Sequence, residues 1–308
     1  MYYNHRVHLV LPLGLLYVAA ALAALLATGS PWRRGAAVLV CAATLPLAFF
    51  VPEEYPTFKA FLALGSIWFT ARVIELTRER GHVPVPRRLW HTVGLVDTLR
   101  AKRIAPRLDL NALTRLLVGL PLFFGFWATV HYASHLPEGA LRLLVRWGAG
   151  ALFMYVAVEI TVAAVIIAYG LLGIDPRPLH DDPILSKTIS EFWSRRWNRA
   201  VHRFLKYNVF APVARRGHVE LGLWLTFVAS ALIHFYFMLP SVGLYWAGMM
   251  ASFFLLQIPF VWAERALGVA RWRPALARTW TLTLLFASSP LFVQPVLQIL
   301  DRWTWSWG

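Results

Sequence analysis

The sequence contains a single cysteine, Cys41, which lies within an apolar run. This scarcity excludes a disulfide framework and a thiolate metal cluster as organising features. Acidic residues are also few, with 15 Asp or Glu against 30 Lys or Arg. We find no internal repeat, no low-complexity tract and no segment polar enough to form a separate soluble domain. The sequence therefore predicts one domain over residues 1–308.

Apolar residues dominate the rest of the sequence. They make up 58% of it and include 15 Trp and 20 Phe, which is more apolar surface than an ordinary soluble core requires. Most apolar runs approach the ~20 residues needed to cross a bilayer. The sequence predicts an all-α polytopic transmembrane bundle of about eight spans, with amphipathic helices on its cytoplasmic side. The predicted spans cover 7–27, 35–51, 58–76, 112–133, 147–171, 219–239, 242–262 and 279–300.

The net charge of +15 is distributed unevenly between the gaps. The gaps 28–34, 77–111, 172–218 and 263–278 hold twenty-three Lys or Arg residues, whereas the opposite side has five: Arg6, Arg142, Arg146 and Arg302 in its gaps, and Lys59 at the start of the third predicted span. An excess of basic residues marks cytoplasmic loops, so both termini are predicted outside and the 172–218 gap inside. We expect the 77–111 gap to be either a solvated loop or a surface helix that binds anionic lipid headgroups. No nucleic-acid-binding motif is present, and no nucleic-acid partner is predicted.

The N-terminal apolar run is longer than the apolar part of a usual signal peptide, and little charge precedes it. We therefore expect it to be retained as the first helix. Arg far outnumbers Lys, while Ala and Leu are abundant, a composition typical of GC-rich bacterial genomes. The expected location is a bacterial inner membrane, with the helix described next on the cytoplasmic side.

Residues 191–198, Glu-Phe-Trp-Ser-Arg-Arg-Trp-Asn, form a distinctive polar and aromatic segment between apolar regions. Thr188 and Glu191 have the spacing of a capping box at a helix start. At 100° per residue, the sequence predicts one amphipathic surface helix with Asn198 and His202 at the border of its two faces. Its apolar stripe comprises Trp193, Trp197, Val201, Phe204 and Leu205, and its basic stripe comprises Arg195, Arg199, Arg203 and Lys206.

His234 is the single ionisable residue of the sixth predicted span, within Ala-Leu-Ile-His-Phe-Tyr-Phe. An ionisable side chain at that depth is costly and is a functional candidate by default. The combination of Phe-Trp-x-Arg-Arg-Trp-Asn with a downstream membrane histidine resembles the membrane-bound O-acyltransferase superfamily, and most closely its wax-synthase-like branch. The close resemblance extends from about Pro183 to Phe237. It implies a membrane-bound O-acyltransferase-like helical bundle.

The resemblance also implies roles for the two catalytic candidates, His234 and Asn198. The histidine would remove a proton from an acceptor hydroxyl that attacks an acyl thioester. The asparagine amide would donate to the developing oxyanion or orient the acyl group. The alternatives are a histidine that only packs against a neighbouring helix and an asparagine that only lies at the water boundary.

Nine further residues are candidates for binding acyl-CoA, and each has an alternative explanation. The two tryptophans suit an acyl tunnel or an interfacial anchor, and the basic side chains suit coenzyme A phosphates or anionic lipid. His202 suits a role in supporting Asn198 or contacting a phosphate, or else simply fills the solvated face of the helix. Gln257 suits the reaction chamber or a hydrogen bond between helices. The candidates are Trp193, Arg195, Arg196, Trp197, Arg199, His202, Arg203, Lys206 and Gln257.

The sequence thus predicts an enzyme that transfers an acyl group from acyl-CoA to a lipophilic hydroxyl. A long-chain alcohol, giving a wax ester, is the favoured acceptor, followed by diacylglycerol, a sterol or a natural-product alcohol. The alternatives are a non-catalytic lipid-binding or transport protein, and a related enzyme acting on protein or glycan. No metal is predicted, since His131 and His135 lack a third ligand, and no cofactor is expected beyond acyl-CoA as co-substrate.

Overall fold

The structure of the protein is a computed structural model that describes residues 3–79, 81–176 and 179–304. Regular structure in these ranges is almost entirely helical. The strands β1, Lys102–Arg103, and β2, Ile174–Asp175, contain two residues each and pair antiparallel. The prediction of an all-α fold is confirmed.

Several helices begin at a proline, whose missing N–H would have no partner in the first turn. Pro31, Pro56, Pro274 and Pro290 start four of them. The α-helices are α1, Tyr3–Leu26; α2, Pro31–Ala42; α3, Pro56–Thr77; α4, Val85–Val93; α5, Leu110–Ser134; α6, Ala140–Leu171; α7, Ile189–Glu191; α8, Arg199–Leu205; α9, Ala211–Ala214; α10, Val219–Ala266; α11, Pro274–Ser288; and α12, Pro290–Thr304. Short 3₁₀ helices cover Leu45–Phe50, Pro183–Leu185 and Val269–Arg271, and π-helices cover Phe192–Arg196 and Lys206–Phe210.

Six helical segments of the described ranges are long and apolar enough to cross a membrane, and a seventh span is possible where α11 and α12 meet at 45°. The sequence predicts about eight spans. The two numbers of spans differ because α10, which is 48 residues long, is counted as one segment where the sequence predicts two spans. At 1.5 Å per residue α10 would extend ~70 Å, more than twice the ~30 Å hydrocarbon core. Gly243, with φ 82° and ψ 179°, interrupts it at the start of the predicted seventh span. Glycine reaches this φ without a Cβ clash, so α10 contains two helical halves.

The chain divides into two compact units, and the first comprises the described residues of 1–100, 232–251 and 298–308. Its core is rich in buried alanine from α1, including Ala20, Ala23, Ala24 and Ala27, which packs with Leu16. Small side chains allow close helix packing in a membrane, where apolar area alone does not drive helices together. The predicted single domain over residues 1–308 stays a prediction.

Within the 77–111 gap, the structure contains a helix, α4, that docks on the end of α1, and binding of lipid headgroups by this gap stays a prediction. Buried Arg88 donates to the carbonyl oxygen of Leu25 at 2.9 Å and to the hydroxyl of Thr28 at 2.8 Å. A cation at the C-terminal end of a helix satisfies carbonyl groups that have no helical partner. Part of the basic character of this gap therefore serves packing.

A second polar cluster of the first unit surrounds the fully buried ring of His91. Its Nε2 lies 3.3 Å from Glu75 Oε2, and its Nδ1 lies 3.3 Å from the hydroxyl of Thr98. Arg72 also binds Glu75, at 2.7 Å. Sequence reasoning did not find this cluster, because its members come from α3, α4 and the loop after α4.

The second unit comprises the described residues of 101–231 and 252–297. Helices α5 and α6 meet closely at Gly119, where a Cβ would lie 2.4 Å from Cγ2 of Ile160. Leu117 and Phe124 of α5 and Leu144 of α6 are exposed, as expected of side chains that face lipid. The apolar helices make the chain a multi-pass membrane protein.

Candidate active site

The segment that carries the sequence motif begins at a capped turn in the second unit. The hydroxyl of Thr188 accepts a hydrogen bond from the backbone N–H of Glu191 at 2.9 Å, as the capping box predicts. The carboxylate of Glu191 accepts at 2.9 Å from the N–H of Lys187, one residue before the predicted donor. Burial raises the pKa of Glu191, but hydrogen bonds from Lys187 and Arg196 outweigh it, and the net shift is downward.

A buried carboxylate of α10 completes this turn. Glu264 is 3% exposed and accepts from the backbone N–H groups of Ile189 at 2.6 Å and Ser190 at 3.0 Å. The first N–H groups of a helix have no helical acceptor, and here Glu264 satisfies two of them. Sequence reasoning missed Glu264. Its acidic side chain at the end of an apolar run was the available signal.

The next turn of the segment packs on the same helix. Ile189 is fully buried against Phe227 and Val261, and Trp193 lies beside them. The indole N–H of Trp193 donates to the side-chain oxygen of Gln257 at 3.2 Å. Gln257 is fully buried and also donates to the Phe253 carbonyl oxygen at 2.9 Å. The structure thus joins two predicted site residues, Trp193 and Gln257, by a hydrogen bond. A hydrogen bond between helices was the alternative role considered for Gln257.

The prediction of one continuous amphipathic helix through residues 193–206 is wrong. The turn 192–196 is π-helical, with the N–H of Trp197 bonded to the Phe192 carbonyl oxygen at 2.8 Å. Trp197 is extended, and Asn198 has a left-handed backbone with φ 37° and ψ 61°. Asn198 then caps α8, and its side-chain oxygen accepts from Val201 N–H at 3.3 Å. The two stripes drawn across this break are therefore not continuous.

Neighbouring residues 179–181 cause the break by bonding the backbone of the motif. The N–H of Arg199 donates to the Leu179 carbonyl oxygen at 2.8 Å, and the carbonyl oxygen of Arg196 accepts from Asp181 at 3.0 Å. The N–H of Asn198 donates to Nδ1 of His180 at 3.4 Å. These contacts replace helical hydrogen bonds. Asn tolerates the left-handed region better than most residues, a signal that the sequence contained.

His180, which is not among the candidate site residues predicted from the sequence, is a structural centre of the break. It is 6% exposed, and burial lowers its pKa to about 4. Its neutral ring can therefore accept from Asn198 at physiological pH. The ring also contacts the face of Trp197 edge-on, with centroids 4.6 Å apart.

The two tryptophans of the motif have different surroundings. Trp193 contacts Phe254 and the polar group of Gln257. Trp197 stacks on Phe192, with centroids 5.5 Å apart, and on Tyr155, with centroids 6.2 Å apart. They do not form one apolar stripe, since the turn 192–196 is π-helical and Trp197 itself has an extended backbone. Their contact with an acyl chain stays a prediction.

The basic candidates separate into exposed and internally bonded side chains. Arg195, Arg199 and Lys206 are exposed, whereas Arg203 is half-buried. Arg196 is also half-buried, and its guanidinium donates to Glu191 at 2.7 Å and to the Asp181 carbonyl oxygen at 3.0 Å. The exposed side chains are thus available to an anionic ligand, while Arg196 is oriented by the protein.

His202 lies on α8 one turn after Asn198 and is half-buried. Its backbone N–H donates to the Asn198 carbonyl oxygen at 3.0 Å. Burial, and then the three neighbouring positive charges, lower the pKa of the His202 ring. The ring is therefore neutral at physiological pH and offers a hydrogen bond rather than a charge to any phosphate.

His234 belongs to the first unit, where it lies on a helical part of α10 before Gly243. It is half-buried and stands among half-buried aromatic neighbours, Phe235, Tyr236 and Phe237. The hydroxyl of Tyr236 donates to the carbonyl oxygen of Leu45. His234 is ~22 Å along α10 from its first residue, within the span predicted from the sequence.

Comparison with known proteins gives a family match over the region just described. Residues 176–256 match the Membrane bound O-acyl transferase family, and this region contains both Asn198 and His234. A probable long-chain-alcohol O-fatty-acyltransferase 7 from Arabidopsis thaliana is 29% identical over 153 residues, which cover 44% of each chain. The long-chain-alcohol O-fatty-acyltransferase of Simmondsia chinensis is 30% identical over 149 residues, which cover 45% of this chain and 40% of that protein.

The matched part of the chain therefore spans less than half the length of these two relatives. A longer match, to the probable long-chain-alcohol O-fatty-acyltransferase 6 of Arabidopsis thaliana, is 26% identical and covers 83% of this chain and 78% of the relative. The matches confirm the resemblance of this chain to the membrane-bound O-acyltransferase superfamily and to its wax-synthase-like branch.

Proposed function

We propose that this protein is a membrane-embedded O-acyltransferase that moves an acyl group from acyl-CoA to a long-chain alcohol and forms a wax ester. The observation that carries the proposal is the family match over residues 176–256, which includes the Asn198 turn and His234. The acceptor follows from the names of the relatives, which are long-chain-alcohol O-fatty-acyltransferases.

The proposed chemistry uses His234 as general base and Asn198 as a neutral donor. His234 takes the hydroxyl proton of the alcohol as its oxygen attacks the thioester carbonyl carbon. The amide of Asn198 donates to the oxyanion that develops on the carbonyl oxygen. When the carbon–sulfur bond breaks, the coenzyme A thiolate leaves and receives the proton held by His234. Because Asn198 Oδ1 already accepts from the N–H of Val201, the amide NH₂ is the group that would donate.

Arg195, Arg199 and Lys206 are proposed to bind the phosphates of coenzyme A, because they are exposed and close in the sequence to the Asn198 turn. Guanidinium groups make bidentate contacts with phosphate. His202 and Arg203 are proposed as lesser contributors to this site. Trp193 and Trp197 are proposed to line the acyl chain. Gln257 is proposed to hold Trp193 through its hydrogen bond, and Arg196 to hold the motif while contributing positive potential.

The motif is proposed to lie on the cytoplasmic side of a bacterial inner membrane. The charge distribution supports this orientation, and two of the five basic residues assigned to the opposite side are buried in the protein. Lys59 is 2% exposed and pairs with Glu53, and Arg146 is 8% exposed. The basic charge available to headgroups is thus even more one-sided than the sequence count indicates.

The direct test of the function is transfer by purified protein. Radiolabelled acyl-CoA is incubated with a long-chain alcohol, a diacylglycerol or a sterol, and the labelled ester and the free coenzyme A thiol are quantified. We expect wax ester with stoichiometric thiol release. Ester formation with another acceptor would correct the substrate, and no ester with any of them would contradict the proposed function.

The orientation has its own test in a Cys41→Ala background. One cysteine replaces Arg195, and another replaces Glu138. The side chain of Glu138 is 95% exposed in the loop before α6. A membrane-impermeant maleimide applied to intact cells is expected to label the Glu138 position only. Labelling of both positions from outside would contradict the proposed orientation.

A further inference from the structure

One face of α10 holds the start of the motif segment. Gln257, Val261 and Glu264 have spacings of four and three residues, so they lie on the same side of the helix. The first binds the indole of Trp193, the second packs against Ile189, and the third accepts from the backbone of Ile189 and Ser190. We call these three residues the docking face.

Glu264 stands apart within the docking face because of its burial and its chemistry. Its side chain carries a carboxylate at a position that is 3% exposed. Placing a charge there is unfavourable unless hydrogen bonds compensate for the lost water. The two backbone N–H groups at 2.6 and 3.0 Å offset part of that cost, and they belong to the motif segment. The carboxylate and the segment therefore stabilise each other's position.

The connection from this anchor to the candidate chemistry is short. From Ser190, the chain reaches Asn198 through the π-helical turn 192–196, which has few degrees of freedom because both of its ends are held. At one end are Glu264 and Gln257, and at the other His180 bonds the Asn198 backbone. A shift at Ile189 would be transmitted to Asn198 and to the basic side chains between them.

We infer that Glu264 is a positioning residue, which anchors residues 188–193 on α10 and thereby sets the position of Asn198. It does not touch the reacting atoms. The catalytic part of this inference rests on the proposed function, whereas the anchoring part concerns backbone hydrogen bonds alone. Misplacement of a reacting group by about 1 Å can reduce a rate by ~10²-fold, so loss of the anchor should appear mainly in kcat.

The test compares Glu264→Gln with Glu220→Gln in purified full-length protein. The first substitution keeps the shape of the side chain but places an amide NH₂ where one of the two acceptor oxygens was. Glu220 is the matched control, because it lies on the same helix but is 59% exposed and pairs with Arg265 at the surface. Hydrogen exchange of peptides covering 187–198 is measured by mass spectrometry, and kcat and KM are measured well below each unfolding temperature.

We expect Glu264→Gln to accelerate exchange in 187–198 at least tenfold, with exchange elsewhere unchanged, and to lower kcat about 10- to 100-fold. KM for acyl-CoA should change less than kcat, and Glu220→Gln should match the wild type in every measurement. Glu264→Asp, which retains the charge, should give intermediate exchange and kcat. It also serves as the second variant if Glu264→Gln cannot be purified in a folded state.

Two results would overturn the inference. Unchanged exchange in 187–198 would show that Glu264 does not anchor the segment, and faster exchange with wild-type kcat would show that the anchor does not position the reaction. Failure of the proposed function is distinguishable from either, because it appears as absence of transfer by the wild-type protein. In that case the exchange rates still decide whether Glu264 is the anchor.

Discussion

Asn198 and His234, the two proposed catalytic residues, have different local structures. Asn198 lies at the break between two helical segments. It has a left-handed backbone, a capping contact to Val201 and a backbone hydrogen bond to His180. His234 lies on a regular helical turn within the long helix α10. Asn198 therefore has a structural task in addition to its proposed chemistry. Its substitutions must be compared with one another, so that loss of the amide donor is separated from loss of the cap and of the left-handed backbone. His234 can be probed by removing the side chain alone.

The largest expected effect is that of His234→Ala. Removal of a general base typically costs 10²–10⁴ in rate, and alanine is well tolerated in a helix. We expect kcat to fall by at least 10²-fold while expression and the unfolding temperature remain near those of the wild type. The measurement is ester formation by both proteins under saturating acyl-CoA. Substantial turnover by the variant would remove His234 from the proposed mechanism.

Substitutions of Asn198 should separate the two tasks of this residue. Asn198→Asp keeps a capping oxygen and tolerates the left-handed backbone, but it loses the amide donor. Asn198→Gly keeps the backbone freedom and removes the donor without adding a charge. Both should lower kcat by about 10²–10³ with unfolding temperatures close to that of the wild type.

Asn198→Ala is the comparison for these two variants. It should lose the same activity and be destabilised further by roughly 1–2 kcal/mol, because alanine neither caps the helix nor favours the left-handed region. Steady-state kinetics and thermal unfolding in detergent distinguish the effects. A wild-type kcat in Asn198→Asp would leave Asn198 with the structural task alone.

The bond between His180 and the Asn198 backbone predicts a pH dependence of stability. The pKa of His180 is lowered to about 4 in the fold, from the usual 6.5. The unfolded chain therefore binds the proton first as pH falls. Stability should be constant above about pH 6.5 and should decrease between 6.5 and 4, by on the order of 3 kcal/mol at most.

His180→Gln cannot titrate and should show a flatter dependence over this window, although it is less stable at pH 7. His82→Gln, at an exposed position, is the matched control and should retain the wild-type profile. Unfolding temperatures at pH 7, 5.5 and 4.5 provide the measurement. Equal slopes for wild type and His180→Gln would show that this histidine does not link protonation to the fold.

The smallest expected effects concern the basic side chains next to the Asn198 turn. Arg195→Gln and Arg199→Gln should each raise KM for acyl-CoA about fivefold, corresponding to about 1 kcal/mol per exposed charge near an anionic group. Arg196→Gln should affect stability more than KM, because its guanidinium holds Glu191 and the Asp181 carbonyl oxygen. Kinetics in an uncharged detergent would test this, and equal changes of KM in all three variants would contradict the distinction.

The local signals of the sequence predicted local structure well. The Thr188 cap and the apolar spans follow from neighbouring residues and hydrogen-bond chemistry. The predicted stripes failed at Asn198, because a periodicity argument assumes an unbroken helix. The residues that break it, 179–181, lie outside the window in which the pattern was read.

By itself, the sequence determined that this chain is an all-α membrane protein with a polar motif between apolar spans, because hydrophobicity and capping are properties of adjacent residues. The tertiary structure decided where that motif turns and what holds it. Glu264 bonds Ile189 across 75 positions of sequence, and Gln257 bonds Trp193 across 64. Such contacts require two distant segments to pack face to face, and the buried polar groups then find partners that no local pattern specifies.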